Sequence, residues 1–302
     1  MHWLKERPAK ERQSFSFVLG HSSESIYAQR RAAAYLSRPS ISRLYGISAP
    51  LDLLQNGLRR ELYFDLISLL RHPPEHLIIT DDGTCGDLVT KMFLIPEQRY
   101  SFLMNGYETS ILESESNSGV SPYVLTACRL VDWKRVDRVL HIAEICRHSL
   151  PDIKFIILGD GPERPRLKKI IKRLNISVNV KLLGKVSRKR MYDFLKKASV
   201  VLATQNLSNL NNTVLEALVM GKAIVTLNTG CTSKLIKHQQ TGLLYETDDL
   251  EGCAQGVTRL MIDEKFREKL AKQAAEYGRR KLLTWPERIE LEARIYRSFV
   301  SG

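Results

Sequence analysis

Residues 154–174 read KFIILGDGPERPRLKKIIKRL. The apolar run Lys154–Leu158 is the length of a buried strand, Gly159-Asp160-Gly161-Pro162 is a sharp turn, and Arg164–Leu174 places apolar residues three and four apart, as a helix does. A strand that enters a helix through a glycine turn is half of a β-α-β unit, and such units build parallel sheets covered on both faces. Free amides at the start of the following helix favour a nearby anion or carbonyl. A complete dinucleotide fingerprint needs a third glycine at position 164, which is Arg164, so this turn does not support NAD binding.

The same grammar extends outward. Further strands are expected at Tyr123–Leu130, Val180–Leu183, Val200–Thr204, Ala223–Leu227 and Gly242–Tyr245, and helices at Val136–His148, Arg188–Lys197, Thr213–Met220 and Thr232–Gln239. Together with Lys154–Leu158 these strands amount to one full Rossmann-like domain. The first hundred residues repeat the pattern more weakly, with strands at Phe15–Leu19, Ile41–Tyr45, Leu77–Thr80 and Tyr100–Met104 and a helix over Leu51–Leu70. Residues 108–121, ETSILESESNSGVS, lack periodicity and read as a linker. The expected organisation is an α/β chain with an incomplete N-terminal Rossmann-like domain over 1–107 and a second domain over 122–302 that ends in a helical tail. Pro286 marks a helix start within that tail.

Composition narrows the class. The 302 residues are 43% hydrophobic and 26% charged, which is globular and excludes disordered, collagen-like and coiled-coil architectures. No uncharged apolar run approaches the ~18 residues of a membrane span, and residues 1–13 are polar where a signal peptide is apolar, so a cytoplasmic setting is expected. The five cysteines form no CxxC pair and no metal-ligand spacing, which suits a reducing compartment. A net charge of +13 attracts polyanions. No aromatic-and-glycine RNA signature or recognition helix accompanies it, so nucleic acid is not an expected partner.

Two further segments carry candidate chemistry. In RLVDWKRVD, residues 129–137, Arg129 closes a strand and Lys134 sits in the loop before a helix. A planar guanidinium fork and a compact ammonium at the carboxyl end of a strand can grip a diphosphate and stabilise it as a leaving group. In TQNLSNLNNTVLEALVMGKAIV, residues 204–225, a polar loop enters an apolar helix that carries Glu216. A carboxylate there can accept hydrogen bonds from two vicinal ribose hydroxyls, while loop and helix amides from Leu210 to Thr213 face phosphate or sugar oxygens.

In order and spacing, over roughly residues 76–300, these pieces resemble the family-4 glycosyltransferases, retaining enzymes of the GT-B fold. The resemblance rests on RLVDWKRVD, GDGPER, LLGKVSR and NNTVLEALVMGKAIVTLNTG, with Asn105-Gly106 similar to the family's Asn-Gly at the domain junction. It implies that Arg129 and Lys134 neutralise the donor diphosphate, that Glu216 holds the ribose, that backbone near Val186 meets the base, and that Gly159 and Gly161 flank it. It extends the donor-binding set to Ser208, Asn209, Leu210, Asn211, Asn212 and Thr213. The family commonly has a glutamate eight positions before the ribose-binding one; here that position is Ser208. Cys128 and Arg135 stand where glycines are usual, which is tolerable if the backbone there is not left-handed. Nothing in residues 1–14 resembles the family's opening strand and glycine-rich loop, so a shortened N-terminal domain is expected. FSFVLGHSSES resembles the middle of that domain, which makes His21 similar to a histidine lining the donor-sugar pocket.

The resemblance implies transfer of a sugar from a UDP- or GDP-sugar to an acceptor hydroxyl with retention. No cofactor or metal is expected, the nucleotide-sugar being the substrate: there is no DxD-like pattern in a suitable loop, and adjacent Asp81 and Asp82 point to opposite faces of a strand. The expected partners are the donor, a glycan or lipid-linked acceptor, and an anionic membrane surface that the basic charge attracts. A GT-B relative that epimerises or phosphorolyses sugars, and a truncated chain that binds nucleotide-sugar or a partner without catalysis, are the alternatives.

Overall fold

A computed structural model describes residues 4, 6–56, 60–112 and 122–300. The chain forms two compact units, Met1–Gly106 with Leu283–Gly302, and Tyr107–Leu282.

The first unit holds α1 (Ala9–Gln13), β1 (Val18–His21), α2 (Ile26–Leu36), β2 (Ser40–Leu44), α3 (Leu51–Asn56), α4 (Phe64–Arg71), β3 (His76–Asp81), α5 (Gly86–Met92) and β4 (Tyr100–Met104). Its four strands pair in parallel in the order β1-β2-β3-β4. Parallel neighbours need a crossover between them, which the helices supply. Leu66, Leu69 and Leu70 of α4 pack with Leu77 and Ile79 of β3 in the core. The expected helix over Leu51–Leu70 is two helices, α3 and α4; residues 57–59, including Arg59, lie outside the described residues.

The tail departs from the expected boundary. Its last helix, α12 (Trp285–Ser298), belongs to the first unit, not the second. It starts as Pro286 suggests, with a capping box in which Thr284 and Glu287 exchange hydrogen bonds. Buried charges tie it down: Arg288 donates from Nε to the Met104 carbonyl at 2.9 Å and pairs with Glu292 at 2.8 Å. Glu292 also meets Arg43 of β2 at 3.1 Å and accepts from the Tyr296 hydroxyl at 2.7 Å. These partners are remote in sequence, so helix periodicity alone gave no sign of them.

The second unit comprises β5 (Val124–Ala127), α6 (Val136–Ser149), β6 (Phe155–Leu158), α7 (Arg164–Arg173), β7 (Val180–Gly184), α8 (Arg188–Lys197), β8 (Val200–Ala203), α9 (Asn212–Val219), β9 (Ala223–Leu227), β10 (Leu243–Tyr245), α10 (Leu250–Ile262) and α11 (Glu264–Lys281). The six strands are parallel in the order β10-β9-β8-β5-β6-β7, so the direction of winding reverses between β5 and β8. A strand forms near each of the ten expected positions, with β1 at Val18–His21 displaced from the expected Phe15–Leu19 and sharing only Val18 and Leu19 with it. α6 buries Val136, Val139, Leu140, Ala143 and Cys146, a helical stripe that packs into a core shared with Phe155, Ile157 and Val200.

The helix expected over Thr232–Gln239 does not form; a three-residue 3-10 turn, Thr232–Lys234, stands there. Side chains take the backbone's bonds. Thr232 donates its hydroxyl to the Thr229 carbonyl at 2.6 Å, and Thr241 donates to the Leu235 carbonyl at 2.9 Å. Of the expected linker, Thr109–Ile111 form a 3-10 turn with Ile111 buried, and residues 113–121 lie outside the described residues.

Candidate functional site

In the second unit the carboxyl ends of β5, β6 and β7 and the starts of α8 and α9 surround a cleft of about 560 Å³, beside the strands where the winding reverses. Open α/β sheets bind their ligands at that point, because loops from oppositely wound halves part there. The cleft is lined by Arg129, Gly159, Asp160, Lys185, Val186 and Arg188, with Met191 and Thr213. Three cations against one carboxylate suit an anionic ligand.

The glycine turn has a packing cause. The loop after β5 crosses directly against it: Cys128 donates its amide to the Leu158 carbonyl at 3.1 Å and Leu130 to the Asp160 carbonyl at 3.0 Å. A Cβ on Gly159, whose φ is +124°, would stand 1.8 Å from the Cys128 carbonyl oxygen, and one on Gly161 2.3 Å from that of Leu130. No side chain fits either space, so the glycines let the loops of β5 and β6 close into the floor of the cleft.

Arg129 and Lys134 are brought to the same strand end but into different surroundings. Exposed Arg129 lines the cleft, with its guanidinium 5.8 Å from the Trp133 ring. Lys134 lines a small adjoining crevice, with Nζ 3.9 Å from the centre of the same ring and donating to the Gln205 side chain. Trp133 thus stands beside both cations. Arg135 has φ +48°, in the left-handed region, which is the condition under which replacing the family's glycine carries a cost. The Arg135 guanidinium forms a 3.0 Å ion pair with Asp137. Cys128 shows no positive φ; burial pushes its thiol up to about 11, with Lys134 pulling the other way.

The loop before α9 divides by role. Asn209 is fully buried and its side chain is used internally: it accepts from the Gln205 amide at 2.9 Å and donates to the Leu227 carbonyl at 3.0 Å and the Thr229 hydroxyl at 2.8 Å. Ser208 accepts from the Leu210 amide at 3.1 Å, and Leu210 is buried. These three build the loop. Asn211 caps α9 by accepting from the Val214 amide, which leaves Asn212 exposed and Thr213 on the cleft wall.

Glu216 lies on α9 among buried Val214, Leu215, Ala217 and Leu218, and is itself 3% exposed. Its Oε1 accepts from the Tyr192 hydroxyl at 2.9 Å and lies 3.6 Å from Arg188; Oε2 is buried without a hydrogen-bond partner. Burial pushes its pKa up, Tyr192 and Arg188 oppose that rise, and Glu108 adds to it. The cleft brings together Val186 and Thr213, both expected at the donor, with Lys185 and Arg188, which lie in LLGKVSR but carried no expected role, and with Met191, which local sequence did not single out; nor did it single out Tyr192 beside Glu216. The signal available was the spacing of Arg188 and Tyr192, one turn apart at the start of a helix.

His21 belongs to the first unit, at the carboxyl end of β1. Its exposed ring stacks near Tyr45, with Nδ1 2.9 Å from the Tyr45 hydroxyl.

The family model described as glycosyl transferases group 1 matches residues 109–277, more than half of the chain. Over 154 residues the chain is 28% identical to the alpha-D-kanosaminyltransferase of Streptomyces kanamyceticus, covering 51% of the chain and 40% of that protein. Over 192 residues it is 23% identical to the N-acetyl-alpha-D-glucosaminyl L-malate synthase of Bacillus anthracis, covering 63% and 48%. The chain thus spans less than half the length of these two relatives. The crystal structure of Anabaena HepE in complex with UDP superposes with a TM-score of 0.77 at 15% identity, over 97% of this chain and 80% of that one, a likeness of fold. The two parallel-sheet units have the architecture of GT-B glycosyltransferases. The chain belongs to the group 1 glycosyl transferases.

Proposed function

We propose that this protein transfers a sugar from a nucleotide-diphosphate donor, UDP- or GDP-linked, to an acceptor hydroxyl with retention, in the synthesis of a glycolipid or surface polysaccharide. The observation that carries the reading is the joining, within one unit, of the Arg129-lined cleft, the adjoining Lys134 crevice and the buried carboxylate of Glu216. Arg129 and Lys134 neutralise the diphosphate, Glu216 accepts from the ribose, and backbone near Val186 meets the base. His21 is assigned to the transferred sugar on the resemblance, its exposure and its place at a strand end.

The bond from the anomeric carbon to the diphosphate oxygen breaks with its electron pair passing to the diphosphate. The acceptor oxygen bonds to the same face of that carbon, and its proton passes to the leaving group. The cations lower the barrier because their charge stands ready where negative charge develops. They supply what a divalent ion supplies elsewhere, so the proposed reaction is metal-independent. The acceptor is a glycan or a lipid-linked sugar, met at an anionic membrane surface to which a chain of net charge +13 is drawn. No described helix is long and apolar enough to cross a membrane.

Titration calorimetry with UDP, GDP and ADP tests the donor site. One diphosphate should bind to the wild type, and donor turnover should persist in EDTA. A folded protein that binds none of the three would favour the alternative reading, a chain that binds a partner without catalysis.

A further inference from the structure

Glu216 does not stand alone. Arg188 donates from Nε to the Tyr192 hydroxyl at 2.6 Å, and that hydroxyl donates to Glu216 Oε1 at 2.9 Å. Arg188 Nη2 lies 3.6 Å from the same oxygen and 3.7 Å from Glu108. The two residues are one turn apart on α8, so their side chains leave the same helix face and reach one point. α8 is anchored at its start, where Ser187 accepts from the Arg190 amide, so the pair is delivered from a defined position.

The chemistry of the carboxyl gives the arrangement its purpose. A protonated acid carries a donor on one oxygen and has fewer acceptor sites than the carboxylate, which accepts through both. Burial at 3% exposure favours the protonated form, and Glu108 adds to that tendency. A hydroxyl that donates to Oε1 and a cation within 4 Å favour the ionised form. With Oε1 engaged by protein, the orphaned acceptor is Oε2, and a buried acceptor without a donor costs free energy that a ligand hydroxyl can recover.

We infer that Tyr192, backed by Arg188, is a positioning residue that keeps Glu216 ionised and oriented so that Oε2 accepts from a ribose hydroxyl, making this trio the part of the site that selects ribonucleotides. The inference rests on the reading of Glu216 as the ribose residue. Tyr192 lies outside the residues through which the chain resembles its family, and Arg188 closes one of those segments, LLGKVSR, with no role assigned to it by the resemblance.

The test compares UDP with 2′,3′-dideoxy-UDP by calorimetry between pH 5 and 8, on the wild type, Tyr192→Phe and Glu216→Gln, with thermal melts confirming that each is folded. The wild type should prefer UDP by about tenfold or more. Its preference should fall as the pH drops and the carboxylate is protonated, whereas dideoxy binding should show no such dependence. Tyr192→Phe should lose most of the preference at neutral pH and recover part of it at higher pH, because the carboxyl then ionises later. If Tyr192→Phe keeps the wild-type preference and pH profile, or weakens both ligands equally, Tyr192 does not position Glu216 and the inference falls while the donor reading stands. If the wild type binds both ligands equally, the ribose role of Glu216 falls with it. If the wild type binds neither, the donor reading falls too.

Discussion

Lys134, in the loop after β5, donates its ammonium to the side-chain oxygen of Gln205, just past β8. The bond ties together the two loops that part where the sheet reverses its winding. It holds a flexible four-carbon side chain in one place beside the cleft, where a charge fixed in advance is worth more than a mobile one. Lys134→Ala should weaken nucleoside diphosphate binding about tenfold or more, and Gln205→Leu should weaken it less, since the charge remains but its anchor is lost. Calorimetry on both variants measures the order.

Glu216 should cost stability for its function. Its pKa in the folded protein is raised above the ordinary value of 4.5, so the folded chain holds its proton more tightly than the unfolded one. The stability linked to that proton is fully present below pH 4.5 and is lost as the pH rises through the higher folded value. Glu216→Gln, which cannot ionise, should therefore gain in melting temperature relative to the wild type as the pH rises from 4 to 8, while its ribose preference disappears. Paired thermal melts across that range check the sign.

Gly159→Ala should unfold the second unit or destabilise it by more than about 3 kcal/mol, since its methyl would stand 1.8 Å from a backbone oxygen that is itself held in the floor of the cleft. Gly221→Ala offers a comparison, because its nearest backbone oxygen is 3.2 Å away and strain at φ +65° is its main penalty. Urea midpoints should rank Gly159→Ala as the more damaging of the two.

Glu292→Ala should loosen the tail helix from the first unit. It leaves Arg43 and Arg288 buried beside each other with their shared carboxylate gone, at a cost on the order of 3 kcal/mol. Limited proteolysis should cut near residues 283–285 in the variant sooner than in the wild type.

Local sequence was sufficient for the strands, for most of the helices and for the glycine turn, because hydrophobic period, β-branched runs and turn residues act over a few positions. It also singled out Arg129, Lys134 and Glu216 as candidates, from their residue types and their places at strand ends or in an apolar helix. Tertiary structure alone decided three other matters. It returned the tail helix to the first unit through Arg43, a residue some 250 positions away in the chain. It turned Asn209 inward, since only the folded loop brings the Leu227 carbonyl and Thr229 within hydrogen-bonding distance. And it set Arg188 and Tyr192 against Glu216, because the meeting of α8 with α9 depends on the order in which strands join the sheet, a property of the whole chain that no local period encodes.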